Sequence, residues 1–102
     1  MRVVAIDFDG VIHNYKQPKP GRKMGEPMPG AKVALELLKS AGFQVIIHSC
    51  NRPQVIKDFM KYYGLCYTSV WEGQGKVQAD FYIDDKGVPF NGDWNETLSW
   101  IL

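Results

Sequence analysis

The stretch that decides the fold is Val3-Val4-Ala5-Ile6-Asp7-Phe8-Asp9-Gly10, near the start of the 102-residue chain. Its first four residues form an uninterrupted apolar run, which is typical of a strand buried on both faces in a parallel sheet. Two carboxylates, Asp7 and Asp9, follow at the point where that strand would end. The stretch therefore predicts a central strand that delivers acidic side chains to one edge of a sheet.

Length and composition bound the architecture around this strand. A chain of 102 residues without internal repeats is the size of one domain, so residues 1–102 are expected to share a single core. Twelve basic and eleven acidic side chains leave a formal charge of +1, which predicts neither a nucleic-acid coat nor an acidic tail. The apolar run before Asp7 is too short for a signal peptide or a membrane span, and Cys50 and Cys66 are expected to be free thiols. We therefore expect a cytoplasmic protein with no membrane partner.

Helical and strand patterns alternate after residue 29. Apolar residues recur at helical spacing up to a glycine cap at Gly42, and they are Ala34, Leu37, Leu38 and Ala41. Residues 43–48 repeat the buried-strand pattern. Asn51 is then expected to be the N-cap of a second helix and Pro53 its first-turn proline, and the apolar stripe of this helix is Val55, Ile56, Phe59, Met60 and Tyr63.

Two further strands and one helix complete the predicted order. The strands are short, around residues 65–70 and 80–83, and the last helix carries the capping-box pair Asp93 and Glu96. Alternating strands and helices imply right-handed crossovers between parallel strands. The sequence thus predicts an α/β protein with a three-layer, Rossmann-like open parallel sheet of about four strands, with helices on both faces.

Residues 13–29 interrupt this pattern. They contain four prolines and no helical or alternating periodicity, which predicts a long loop. Four basic side chains lie in it, and they are Lys16, Lys19, Arg22 and Lys23. These charges could steer a phosphorylated or polyanionic substrate, but a solvated surface loop is favoured over a dedicated nucleic-acid contact.

Polar side chains follow the predicted strands at their carboxyl ends, where open α/β sheets bind ligands. Asp7 and Asp9 follow the first strand, Ser49 follows the second, and Asp84-Asp85 follows the fourth. An aspartate after a strand is often only a turn former, so no single member of this set is decisive. Several carboxylates at one edge would repel one another unless a hard, oxygen-preferring cation lay among them. Mg²⁺ is the natural candidate.

Four segments, in this order, resemble the motifs of the haloacid dehalogenase superfamily of phosphotransferases. They are Asp7-Phe8-Asp9-Gly10-Val11, Ser49, Lys76 and Tyr82-Ile83-Asp84-Asp85, and the likeness covers nearly the whole chain. One departure is that two residues separate Ser49 from Arg52, where the family often has one. The resemblance implies a small, capless phosphatase of the HAD type.

The resemblance also implies roles for individual residues. Asp7 would attack phosphorus to form an aspartyl-phosphate, and Asp9 would serve as general acid and then general base. Ser49 and Lys76 would contact phosphoryl oxygens, and Phe8 and Gly10 would belong to the phosphate-binding loop, with the glycine turning backbone amides toward the phosphate. The Asp7 carboxylate, the Asp9 carbonyl and the Asp84-Asp85 pair would hold Mg²⁺.

Several questions stay open at this point. Either Asp84 or Asp85 could be the direct metal ligand, and either Ser49 or Cys50 could face the phosphate, with the hydroxyl the better donor. An uncapped site would admit a large phosphorylated substrate; nucleic acid and an oligomeric partner are neither indicated nor excluded. The competing function is a phosphate-responsive switch or binding module on the same fold, which would not turn over.

Overall fold

The computed structural model of the chain describes residues 2–14, 26–73, 75, 77–84, 88–90 and 92–102. Its ten elements are, in order, β1 (Val3–Asp7), β2 (His13–Asn14), β3 (Glu26–Pro27), α1 (Ala31–Ser40), β4 (Gln44–His48), α2 (Pro53–Tyr62), β5 (Ser69–Val70), β6 (Phe81–Asp84), β7 (Val88–Pro89) and α3 (Trp94–Ile101). Strands β5-β4-β1-β6-β7 form one sheet in that order, and every pair in it is parallel. The predicted α/β fold class is confirmed, and the two-residue strand β7 extends the sheet beyond the four strands expected.

The register of β1 aligns the ends of the three central strands. Asp7 lies beside His48, the last residue of β4, and Ile6 lies beside Ile83, one residue before the end of β6. Asp7 and Asp84 therefore leave the sheet at the same edge. Because all three strands run in the same direction, their carboxyl ends meet there, as the sequence predicts.

Alternate residues of the sheet face a single core. Val4, Ile6, Val45, Ile47 and Ile83 are buried in the same cluster as the inward side chains of all three helices. The opposite face carries Ala5, which is fully buried, with Tyr82 beside it in register.

An irregular segment covers that second face. The Tyr82 hydroxyl donates to the Val77 carbonyl at 2.6 Å and accepts from the Ala79 N–H at 3.1 Å, and Val77 is buried. Among the described residues this second cover contains no helix. The three layers are therefore the helices, the sheet and this segment, whereas helices were predicted on both faces. The difference arises because the connection from β5 to β6 contains no helix among its described residues.

Helix α1 ends as predicted but buries a different stripe. Gly42 follows it with a φ of 90°, a left-handed conformation that glycine adopts without steric cost. Leu35 and Leu38 are fully buried, whereas Leu37, predicted to face the core, is 45% exposed. The physical reason is the phase of the helix: Ala31, Ala34, Leu35 and Leu38 share one face, and Leu37 lies outside it.

The ends of the 13–29 loop form a small ribbon. His13 and Asn14 of β2 pair antiparallel with Glu26 and Pro27 of β3, and the Met28 N–H donates to the Ile12 carbonyl at 2.7 Å. Residues 15–25, with the four basic side chains of the loop, lie outside the described residues. In the part of the chain that the structure describes, no helix is long and apolar enough to cross a membrane.

Candidate active site

A pocket of 610 Å³ opens at the carboxyl edge of the sheet. Its lining includes three of the residues predicted for the site, Asp7, Ser49 and Asp84, each contributed by a different strand end. Cys50 also lines it, and its side chain is exposed. The parallel register brings these groups together although they are far apart in the chain.

Asp7 is the electrostatic centre of this edge. Burial raises the pKa of its carboxyl above the usual 3.8, and the nearby carboxylates of Asp9 and Asp84 raise it further. His48 and the backbone of Phe8 act on this pKa in the opposite direction. Negative charge gathered around the Asp7 carboxyl at the end of a sheet is an arrangement that a bound cation would relieve.

Asp9 is held by three side chains. Its Oδ2 accepts from the Ser49 hydroxyl at 3.0 Å, and both of its oxygens accept from Asn51 Nδ2, at 3.1 and 2.9 Å. His13 Nδ1 lies 3.3 Å from Asp9 Oδ1. The carboxylate is thus bound from the β4–α2 connection on one side and from the start of β2 on the other.

Asn51 corrects a prediction. It was expected to cap α2, but the N-cap residue is Arg52 and no side chain makes the capping bond. The amide of Asn51 binds Asp9 instead, and its backbone N–H donates to Ser49 Oγ at 3.0 Å. In the sequence, the one sign of this role is that Asn51 lies two residues before Pro53, one position too early to cap the helix that begins there.

His13 anchors the other side of Asp9. Its ring is 4% exposed, stacks on Phe8 with centroids 5.4 Å apart, and meets Phe59 edge-on at 5.6 Å. The sequence places this histidine next to the acidic motif, whereas its burial between two aromatic rings depends on α2 packing against the loop.

The turn after β1 only partly matches its predicted role. Gly10 has a φ of 81°, as a sharp turn requires, but its N–H donates to the His13 carbonyl at 2.8 Å. The N–H groups of Val11, Ile12 and His13 all donate to the Phe8 carbonyl. All four N–H groups thus donate to backbone carbonyls within the turn. They are not directed at a ligand, which was the role expected of the amides near Gly10.

Phe8 also departs from its predicted role in substrate binding. Its side chain has no exposed surface, its N–H donates to the His48 carbonyl at 3.2 Å, and its carbonyl accepts the turn amides. With all of its polar groups and its ring committed to the interior, Phe8 is a core residue that holds the acidic motif in place.

Two of the predicted cation ligands, Asp7 and Asp84, line one pocket, and carboxylate oxygens are ligands that a hard cation prefers. Asp9, whose backbone carbonyl is the predicted third ligand, is not among the described residues that line this pocket. Searched over the described ranges, the chain brings no three His, Cys, Asp or Glu side chains together as a metal cluster. Lys76 and Asp85, both predicted members of the site, lie outside the described residues.

A tryptophan loop, which begins directly after β5, forms one wall of the pocket. Its lining residues are Trp71, Glu72, Gly73 and Gly75. The Trp71 indole N–H donates to the Gly75 carbonyl at 3.1 Å, and a Cβ on Gly73 would lie 2.6 Å from the same ring. The indole therefore folds back on its own loop, and a side chain at position 73 would displace it. Sequence reasoning did not identify this wall.

Comparisons with known proteins place the fold. No family model and no curated protein matches this chain. A solved structure of a conserved protein from Bacteroides thetaiotaomicron is similar over 98% of this chain and 88% of that protein, with a TM-score of 0.72 and 28% sequence identity. The likeness supports the α/β architecture over its full length and brings no activity with it.

Proposed function

We propose that this chain is a Mg²⁺-dependent phosphohydrolase of the haloacid dehalogenase type, with Asp7 as the nucleophile. The observation that carries the proposal is the position of Asp7, which lies at the end of the central strand in a pocket shared with Asp84 and Ser49. A carboxylate there has open space in front of it and a second carboxylate beside it. Phosphoryl transfer needs this combination of a positioned nucleophile and a place for a counter-cation.

The proposed reaction has two steps. A carboxylate oxygen of Asp7 attacks phosphorus, the bond from phosphorus to the leaving oxygen breaks, and Asp9 supplies the proton that this oxygen takes up. Water then attacks the aspartyl-phosphate, Asp9 accepts a proton from that water, and inorganic phosphate leaves while the Asp7 carboxylate is restored. One carboxylate thus serves as acid and then as base.

The Asp7 carboxylate, the Asp9 carbonyl and Asp84 would hold Mg²⁺, with Asp85 as the alternative to Asp84. The ion would supply neutralisation of the negative charge on the phosphoryl group. Lys76 is a proposed donor to the phosphoryl oxygens. Ser49 is the other, and its single hydroxyl proton, which is donated to Asp9 in this structure, would turn to the phosphoryl group when substrate binds. Lys76 and Asp85 enter the proposal from the sequence resemblance alone.

The openness of the pocket bears on the substrate. In the described chain the pocket is lined by the strand ends, the Trp71 loop and the β4–α2 connection, and no separate cap covers it. An uncapped pocket supports a phosphorylated substrate larger than a simple sugar phosphate. The proposal includes a cytoplasmic location, supported by the free thiols of Cys50 and Cys66.

Release of phosphate from p-nitrophenyl phosphate tests the proposal. We expect steady turnover with Mg²⁺ and none with EDTA, and a loss of at least about 10³-fold in kcat for Asp7→Asn. Asp58→Asn is the matched control, because Asp58 is an exposed carboxylate on α2 outside the pocket. Activity retained by Asp7→Asn would reject Asp7 as the nucleophile, and a single stoichiometric phosphorylation without turnover would favour the switch.

A further inference from the structure

The Asp9 carboxylate is more tightly bound than the proposed reaction by itself requires. Asn51 Nδ2 spans both of its oxygens, and the Ser49 hydroxyl donates to one of them. The assignment of the Asn51 side chain follows from chemistry, since its carbonyl oxygen would repel a carboxylate at 2.9 Å. Because Asn51 Nδ2 contacts both carboxylate oxygens, it fixes the rotation of the carboxylate as well as its position.

The clamp is itself held in place. Ser49 Oγ accepts from the Asn51 backbone N–H at 3.0 Å while donating to Asp9, so the residues of the clamp also bind each other. His13, buried and stacked on Phe8, closes the opposite side. Asn51 and Ser49 both line the pocket that contains Asp7, which places the clamp beside the proposed chemistry.

Asn51 lies one residue before Arg52, the N-cap residue of α2, so its side chain does not occupy the capping position. Helix α2 begins without any side-chain cap, beside the pocket that Asn51 lines. Departures from local preference of this kind concentrate at functional sites.

We infer that Asn51 is a positioning residue that orients the Asp9 carboxylate for proton transfer. The inference rests on the proposed function and assigns Asn51 no contact with substrate. With the amide removed, the carboxylate keeps only Ser49 and His13 and gains freedom to turn about its χ2 bond. Proton transfer then requires an orientation that the carboxylate adopts only part of the time.

Asn51→Ala and Asn51→Asp test the inference together. Alanine removes the amide and its volume, whereas aspartate keeps the volume and replaces two N–H donors with a like charge. Both variants should lose about 10- to 100-fold in kcat, with KM within about threefold of the wild type. The loss should be larger on phenyl phosphate than on p-nitrophenyl phosphate, because the poorer leaving group depends more on protonation. Asn95→Ala and Asn95→Asp, at an exposed position of α3, are the controls.

Two results would overturn the positioning role. If Asn51→Asp keeps activity that Asn51→Ala loses, the side chain only fills space. If both variants lose activity equally on the two substrates, proton transfer is not the affected step. The expected pattern, with both variants impaired and the deficit dependent on the leaving group, is one that a purely structural residue would not produce.

Thermal unfolding separates this inference from the proposed function. Asp9→Ala, Asn51→Ala and the double variant are compared without substrate, and their shifts in midpoint should be non-additive because the two residues share a contact. Additive shifts would reject the contact whether or not the protein turns over. A wild-type protein without turnover on either substrate would reject the proposed function, and the positioning role with it.

Discussion

Asp7 shows how the fold creates chemistry from an ordinary residue type. Its carboxyl has a raised pKa because it is partly buried and because Asp9 and Asp84 lie nearby. The folded protein therefore holds a proton at Asp7 more tightly than the unfolded chain does. The stabilising contribution of this group is complete below pH 3.8 and is lost as the pH rises through the folded-state pKa. At neutral pH without a cation, the charge of Asp7 destabilises the fold.

That cost is measurable without any substrate. In EDTA at pH 7, Asp7→Asn should raise the Tm above that of the wild type, and the gain should shrink as the pH is lowered towards 3.8. Adding Mg²⁺ should raise the Tm of the wild type more than that of Asp7→Asn, because the ion relieves the repulsion only where the charge exists. An Asp7→Asn variant that is less stable than the wild type at pH 7 in EDTA would contradict this account.

At the scale of elements, the beginnings of α2 and α3 contrast. Asp93 caps α3 in the ordinary way, accepting from the N–H groups of Asn95 and Glu96 at 2.9 and 3.3 Å. Helix α2 starts at Pro53 without a side-chain cap, and the nearby asparagine binds the site instead. The side chain at the start of α3 therefore stabilises its own helix, whereas the asparagine before α2 binds a carboxylate at the carboxyl edge of the sheet.

Removing the cap of α3 should lower stability without affecting the site. Asp93→Ala is expected to lower the free energy of unfolding by about 1 kcal/mol, because two backbone donors lose their acceptor. Urea unfolding monitored by circular dichroism measures this value. Asn95→Ala is the control, since that exposed side chain lies in the same turn and only its backbone N–H takes part in the cap. If Asp93→Ala and Asn95→Ala lower the free energy of unfolding equally, the Asp93 side chain does not stabilise α3 as a cap.

At the scale of the whole molecule, one core joins the sheet to all three helices. The cluster runs from α1 and α2 through the central strands to Trp94, Leu98 and Ile101 of α3. The same packing leaves the carboxyl edge of the sheet uncovered in the described chain, and the pocket lies there. The core thus holds the strand ends rigidly while the site stays accessible.

Two adjacent leucines of α1 test this view of the core. Leu38→Ala should cost about 2–5 kcal/mol of unfolding free energy, because a fully buried side chain leaves a cavity. Leu37→Ala should change it by less than about 0.5 kcal/mol, because that side chain is already 45% exposed. Chemical denaturation of the two variants measures the difference. Similar losses would mean that α1 packs with a different phase.

Much of the fold could be predicted because its signals are local. The apolar run before Asp7, the glycine after α1 and the Asp93 cap each depend on residues within one turn or strand, and all three behave as predicted. The carboxyl-edge site follows from them, since parallel strands bring their ends together. The predicted stripe of α1 failed at Leu37 because apolar spacing alone does not set the phase of a helix against its sheet.

The sequence by itself determined the order of strands and helices, the central position of β1 and the delivery of Asp7 and Asp84 to one edge. Only the tertiary structure decided how the side chains around Asp9 are used. Asn51 lies 42 residues from Asp9 in the chain, and the sequence predicted a local role for it as a helix cap. The fold instead makes Arg52 the N-cap residue and brings Asp9 Oδ2 to 2.9 Å from the Asn51 amide. A hydrogen bond from an amide to an ionised carboxylate is stronger than the bond that the same side chain would make to a backbone N–H at a helix end. The local sequence around Asn51 does not indicate that such a carboxylate lies nearby.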